Sequence, residues 1–188
     1  MAHTTTREQK TRMLCTAGLM AALACVSNFI SIATPASRIH IGNAVCVLCG
    51  LILGPAYGFF AAGVVNAIFD IIGGYGMEFV ITFINKGAIA LVTGLIAYKA
   101  AGKETLEGRD HARVIVGSIL GALTYTALYL LKSYIKLRFT TADVDPVAIQ
   151  ATMLSKAASS LFNAAFAFVV APIFFNVLRK PLRRLGLY

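Results

Sequence analysis

The sequence predicts an all-α integral membrane protein, a bundle of six transmembrane helices with both termini on the cytoplasmic side. Three observations carry this. Only 13% of the 188 residues are charged and 58% are hydrophobic, whereas a soluble domain is about 25% charged. Mean hydropathy is +0.76, so too little polar surface exists to cover a compact body in water. The net charge of +9 is concentrated between long apolar runs, as topology signals are. A soluble enzyme, a disordered chain and a coiled coil are excluded by the first two. The third turns the high basicity away from nucleic acid and toward a membrane.

A spanning helix takes about 20 apolar residues, or about 17 at the short end. Residues 13–33 form the first such run. The next, 39–53, is shorter and stops at Gly54-Pro55, and a third covers 56–72. Gly73, Gly74 and Gly76 then break the pattern, as clustered glycines do. Residues 79–98 make the fourth run, 114–137 the fifth, and 147–178 contain the sixth. The whole of 1–188 reads as one transmembrane domain: a tail over 1–12, a bundle over 13–178 with a cytoplasmic loop at 99–113, and a tail over 179–188. The polar first dozen residues and the missing small-residue cleavage site argue against a cleaved signal peptide.

Basic residues set the orientation. Arg7, Lys10 and Arg12 lie in the first tail, Lys99, Lys103, Arg109 and Arg113 in the central loop, and Arg179, Lys180, Arg183 and Arg184 in the last tail, together 11 of the 17. Six crossings put these three segments on one side, and the positive-inside rule makes that side cytoplasmic. The turn at 73–77 and a loop at 140–146 with Asp143 and Asp145 then face outward.

Cys15, Cys25, Cys46 and Cys49 all fall in apolar runs. Cys46 and Cys49 form a C-x-x-C, but no second pair or His at zinc spacing accompanies them, so no metal site or disulfide framework is expected. All four read as small packing residues.

Polar residues inside a membrane are costly and mark functional sites. Arg38, His40, Asn43, Asp70, Glu78, Asn85, Lys86, Lys132, Lys156 and Asn163 all cluster toward the outer ends of the runs. A polar pocket open to the outside accounts for the set. The competing account is interfacial snorkelling of Lys132, Lys136 and Arg138, with structural pairing of Asp70 or Glu78 with Lys86. Glu78 and Lys86 are eight residues apart, about 12 Å along a helix, so each needs a partner on another helix. Tyr75, Tyr125, Tyr129 and Tyr134 share this level, as interfacial rings or as ring surfaces for a ligand. No phosphate loop, H-E-x-x-H or G-x-S-x-G is present, so no catalytic residue, metal or cofactor is assigned and binding is favoured over chemistry. In the first run Ala17 and Ala21 place small side chains on one face, where another helix can approach closely.

The stretches IHIGNAV at 39–45, LILGPAYG at 51–58, GVVNAIFD at 63–70 and FINKGAIALVTGLI at 83–96 resemble the substrate-binding S components of energy-coupling factor (ECF) vitamin transporters, nearest the riboflavin type. One departure is that many relatives carry an acidic residue where Asn43 stands. The resemblance implies a six-helix multi-pass subunit in a prokaryotic cell membrane. It implies a vitamin pocket near the outer face, closed by the loop between the first two helices. It also implies docking through Ala17 and Ala21 to a coupling membrane subunit driven by two ATPase subunits. Rival readings are a proton-coupled secondary transporter using Asp70, Glu78 and Lys86, a membrane enzyme acting on lipid, and a structural scaffold.

Overall fold

A computed structural model describes residues 6–33, 37–140 and 146–188. Helix α1 (Thr6–Phe29) leads into a small antiparallel hairpin of β1 (Ser31–Ala33) and β2 (Arg38–His40), with Ile32 opposite Ile39. Then follow α2 (Gly42–Ile72), α3 (Glu78–Ala97), a single 3-10 turn (Tyr98–Ala100), α4 (Gly108–Thr140) and α5 (Pro146–Arg184). Among the described residues, five helices are long and apolar enough to cross a membrane.

The expected second and third helices are the two arms of α2. At Gly54 the backbone turns to φ 80° and ψ −175°, a conformation open to glycine and strained for a residue with a Cβ. Pro55 follows and has no N–H to continue the ladder. The arms then run antiparallel. Asn66 Nδ2 comes within 3.6 Å of Cys46 Sγ, although twenty residues of straight helix would put them about 30 Å apart. The first arm, 42–53, is about 18 Å long by rise, short of the hydrocarbon thickness of about 30 Å.

The other helices assemble around α2, the most buried of the five. Its contact with α3 depends on missing side chains. A Cβ on Gly94 would lie 2.6 Å from Pro55 N and 2.7 Å from the Gly54 carbonyl carbon, so the backbones touch where the turn is made. Leu51, Ile52, Ile89 and Phe175 fill the core. The outer surface is apolar as well, with Leu19, Ile72, Phe139 and Val177 among its exposed side chains. That is the surface expected where lipid is the solvent.

Several boundaries differ from the apolar runs. α1 begins in the polar first tail, α4 starts at Gly108, and α5 carries the basic residues through Arg184. Charged segments extend these helices because lysine and arginine are good helix formers. The start of α4 is fixed by Asp110, whose Oδ2 accepts from the Glu107 backbone N–H at 3.2 Å and from Lys103 Nζ at 2.8 Å. Cys46 and Cys49 are buried as expected, but Cys15 is exposed, because α1 packs on the bundle by one face only. The expected outer loop with Asp143 and Asp145 lies outside the described residues.

The end bearing the chain termini is tied together. Arg179 donates to the Lys103 carbonyl at 2.9 Å, Arg183 pairs with Glu104 at 3.3 Å, and Tyr188 donates to the Ile52 carbonyl at 2.8 Å.

The glycine packing sets up a paired test. Gly94→Val overpacks the α2 turn and is expected to cost about 1–3 kcal/mol, read as a lower thermal midpoint in detergent. Gly18→Val on α1, where a Cβ meets nothing within 4 Å, leaves the midpoint unchanged.

Candidate functional site

At the end of the bundle opposite the termini, a cavity of about 300 Å³ opens under the β hairpin. That is the lower end of the range of about 300–1,000 Å³ for small-molecule sites. Four elements supply the expected residues of its lining. β2 contributes Arg38 and His40, the second arm of α2 Asp70, α3 Glu78, Asn85 and Lys86, and α4 Lys132. These seven of the ten expected residues converge although they are spread over 95 positions of sequence.

The other three stand just behind. Asn43, fully buried, accepts from Lys86 Nζ through Oδ1 at 2.6 Å, and its Nδ2 has no hydrogen-bond partner among the described residues. Asn163 of α5 holds β2 by two bonds to the strand's backbone. Its Oδ1 accepts from the His40 backbone N–H at 3.0 Å, and its Nδ2 donates to the Arg38 carbonyl at 2.9 Å. Lys156 lies 5.5 Å from the Tyr129 ring centroid and 3.4 Å from Ser133 Oγ.

The pairing is across helices. Glu78 receives Lys132 at 2.8 Å and Lys136 at 2.6 Å, both from α4, and not Lys86 of its own helix. Lys86, 5% exposed, makes no ion pair among the described residues. Besides Asn43 it has the face of Tyr125, with Nζ 4.7 Å from the ring centroid, a favourable place for a cation. Tyr125 and Tyr129 stack at 5.6 Å with their planes 12° apart. Ser37 Oγ and Tyr129 OH are 3.0 Å apart, and Arg38 sits 5.1 Å above the Tyr75 ring. The cavity therefore offers an aromatic wall, a buried ammonium and two carboxylates.

Asn28 and Asn66 also line the cavity and were not among the expected residues. Asn28 Nδ2 donates to Asn66 Oδ1 at 2.9 Å, joining α1 to α2. The cost of a polar group in an apolar run marks both of them, as it marks Asn163.

The small residues of α1 are placed differently from the docking expectation. Ala17 is buried against the bundle and Ala21 is half-buried, while Gly18 and Ala22 occupy the outward face. The one-residue shift arises because Met13, Ala17, Met20 and Ala24 form the stripe that packs inward.

Span-length helices around a polar cavity define a membrane protein with room for a small solute. The chain belongs to the family of the ECF-type riboflavin transporter S component, which it matches over residues 8–180. The fold agrees with that of a solved bacterial ECF transporter S component at a TM-score of 0.56, covering 95% of this chain and 99% of the other at 17% identity. A Pyrococcus woesei protein described as an uncharacterized protein in gap 3'region is 27% identical over 116 residues, 61% of this chain and 72% of that one. The protein is thus a substrate-binding subunit of a transporter, and its family is not a class of enzymes.

His40 lies in the hairpin, where burial first, then the charges of Lys86 and Arg38, hold its pKa well below the ordinary value. Its Nδ1 already accepts from the Gly42 N–H at 3.1 Å, so protonation would break that bond. The unfolded chain takes up this proton near the ordinary pKa of about 6.5 and the folded chain resists it, so stability falls as pH drops below about 6.5. His40→Gln is expected to flatten the fall in thermal midpoint between about pH 7 and about pH 5. Asn163→Ala removes two bonds to β2, a loss of about 1–3 kcal/mol, and is expected to speed amide exchange at residues 38–40.

Proposed function

We propose that this chain is the substrate-binding membrane subunit of an ATP-driven ECF-type importer, which captures riboflavin or a closely similar water-soluble vitamin at the outer face and delivers it inward. The observation that carries this reading is the cavity itself. Stacked Tyr125 and Tyr129 suit a flat heteroaromatic ring. Lys86, held by Asn43, and Asn85 suit ring carbonyls, and Asp70 suits hydroxyl groups of a side chain. Glu78 with Lys132 forms a charged rim, His40 and Arg38 close the top, and Lys156 and Asn163 brace Tyr129 and β2.

In this reading the domain spans 1–188 and crosses the membrane six times, the two arms of α2 counting separately, with both termini cytoplasmic in a prokaryotic cell membrane. The distribution of lysine and arginine supports the sidedness. The missing phosphate loop supports a division of labour in which two ATPase subunits and a coupling membrane subunit supply the energy. Docking to that subunit runs over α1, where Ala21, Gly18 and Ala22 permit close approach and Ala17 lies at the inner edge.

Riboflavin titrated into the purified protein is expected to lose its fluorescence on stacking. Lys86→Ala is expected to weaken binding at least about tenfold, the effect of roughly 1.4 kcal/mol. Mass spectrometry of the small molecule released on denaturation identifies the vitamin carried from the cell. A protein that neither carries nor binds any vitamin, yet takes up solute without ATPase partners, overturns the proposal.

A further inference from the structure

The two nitrogens of His40 have unequal surroundings. Nδ1 accepts from the Gly42 backbone N–H at 3.1 Å, where the hairpin passes into α2. Gly42 is wedged at this corner, since a Cβ on it would collide with Asn28 Oδ1 and lie 3.0 Å from His40 Nδ1. Asn28 is held in turn by Asn66 at 2.9 Å, and Asn163 bonds the backbone of both His40 and Arg38. The ring is therefore fixed through Nδ1. Nε2 is the free nitrogen: His40 lines the polar cavity, and among the described residues nothing accepts a hydrogen bond from Nε2. A neutral imidazole carries one N–H and one bare nitrogen, and the partner of one nitrogen sets the state of the other. The Gly42 N–H can be met only by a bare nitrogen, so the proton of neutral His40 is on Nε2.

We propose that His40 is an obligate hydrogen-bond donor to the bound vitamin, acting through Nε2–H in the neutral state only, so that it selects an acceptor atom (a carbonyl oxygen or a bare ring nitrogen) and loses its hold in acid. A protonated ring carries N–H on both nitrogens. Nδ1–H then confronts the Gly42 N–H, and the ring has to leave the corner that aims Nε2. The groups around it decide when this happens. In the cavity they are Arg38 of its own strand, Asp70 of α2, Glu78 and Lys86 of α3 and Lys132 of α4, with Tyr75, Tyr125 and Tyr129. β1 carries no titratable side chain, and α1 and α5 meet this corner with Asn28 and Asn163, while Lys156 of α5 lies against Tyr129. Glu78 is occupied by Lys132 and Lys136. Burial, then the charges of Lys86 and Arg38, oppose a proton on His40, so the donor form prevails at neutral pH.

The inference rests on the vitamin-binding reading above and deepens it. The test titrates riboflavin into the purified full chain in detergent from about pH 8 to about pH 4.5, with the thermal midpoint of each variant checked at the upper end. Wild-type affinity is expected to stay level down to about pH 6.5, then to fall below the pKa of the folded ring by up to about tenfold per pH unit, as uptake of one proton requires. Two variants separate the nitrogens. His40→Asn keeps an acceptor near the Nδ1 position and lacks the Nε2 donor, and is expected to lose about tenfold in affinity at pH 8. His40→Gln puts an amide N–H near the Nε2 position and is expected to bind better than His40→Asn. Both variants lose the fall above about pH 5. Nitrogen NMR of the histidine-labelled chain, with the His40 signals assigned by their absence from His40→Gln, is expected to show the Nε2–H form before riboflavin is added and a shift at Nε2 after. An Nδ1–H or doubly protonated ring at pH 8 overturns the proposal, and so does His40→Asn binding as well as His40→Gln. A fall that survives in His40→Gln assigns the proton to Asp70 or Glu78 and overturns it too. A wild type that binds no riboflavin at pH 8 overturns the riboflavin reading and this assignment with it, whereas binding that ignores pH overturns this assignment alone.

Discussion

At Gly54 the chain reverses inside an otherwise continuous helical stretch, and the placement of nearly everything else follows from that reversal. A positive φ followed by a proline ends one arm and starts the next without a loop. The turn is tight because α3 presents Gly94 to it and Tyr98 lies over Gly54. Folding the arms together brings buried Asn66 within 3.6 Å of Cys46, which lies three residues after the equally buried Asn43. It also leaves Asp70 at the cavity, at the far end of the second arm. A longer connection would expose backbone groups that have no partner in lipid.

The polar layer is arranged to limit the cost of burial. Asn28 and Asn66 satisfy one another, and Asn66 also donates to the Ala62 carbonyl at 2.7 Å. Glu78 is shared by two lysines, which keeps one carboxylate from facing the bundle alone. Lys86 is treated differently, with an amide oxygen and an aromatic face in place of a carboxylate. A buried ammonium with no ion pair among the described residues is held at some expense. The unmatched Nδ2 of Asn43 beside it belongs to the same economy.

Much of this was legible in the sequence. Hydropathy located every helix, and the glycine and proline at 54–55 marked the reversal, although not that two runs would form one folded helical unit. The rule that polar groups in apolar runs are costly picked out seven lining residues, Asn85 and Lys86 as an adjacent pair in the run at 79–98. The same rule applies to Asn28 and Asn66, which it could equally have found. The β hairpin was not legible, since strands of three residues such as Ser31–Ala33 carry no periodic signal. Helical spacing alone could not say which side of α1 faces inward. Ala17 and Gly18 differ by one position, and only the packing of Met13 and Met20 decides between them.

The two clasps on α5 have a mechanical consequence. Asn163 grips the hairpin over the cavity, and Arg179, sixteen residues on, grips the 103–104 segment at the opposite end. That is about 24 Å along one helix. A single strut therefore joins the cover of the cavity to the base of the bundle. The base cannot tilt against the hairpin unless the asparagine lets go or the strut bends. Pro172 stands between the two grips, where a missing backbone hydrogen bond makes the helix most compliant. Whatever pulls on the basic end is thus felt first at that joint and then at the hairpin.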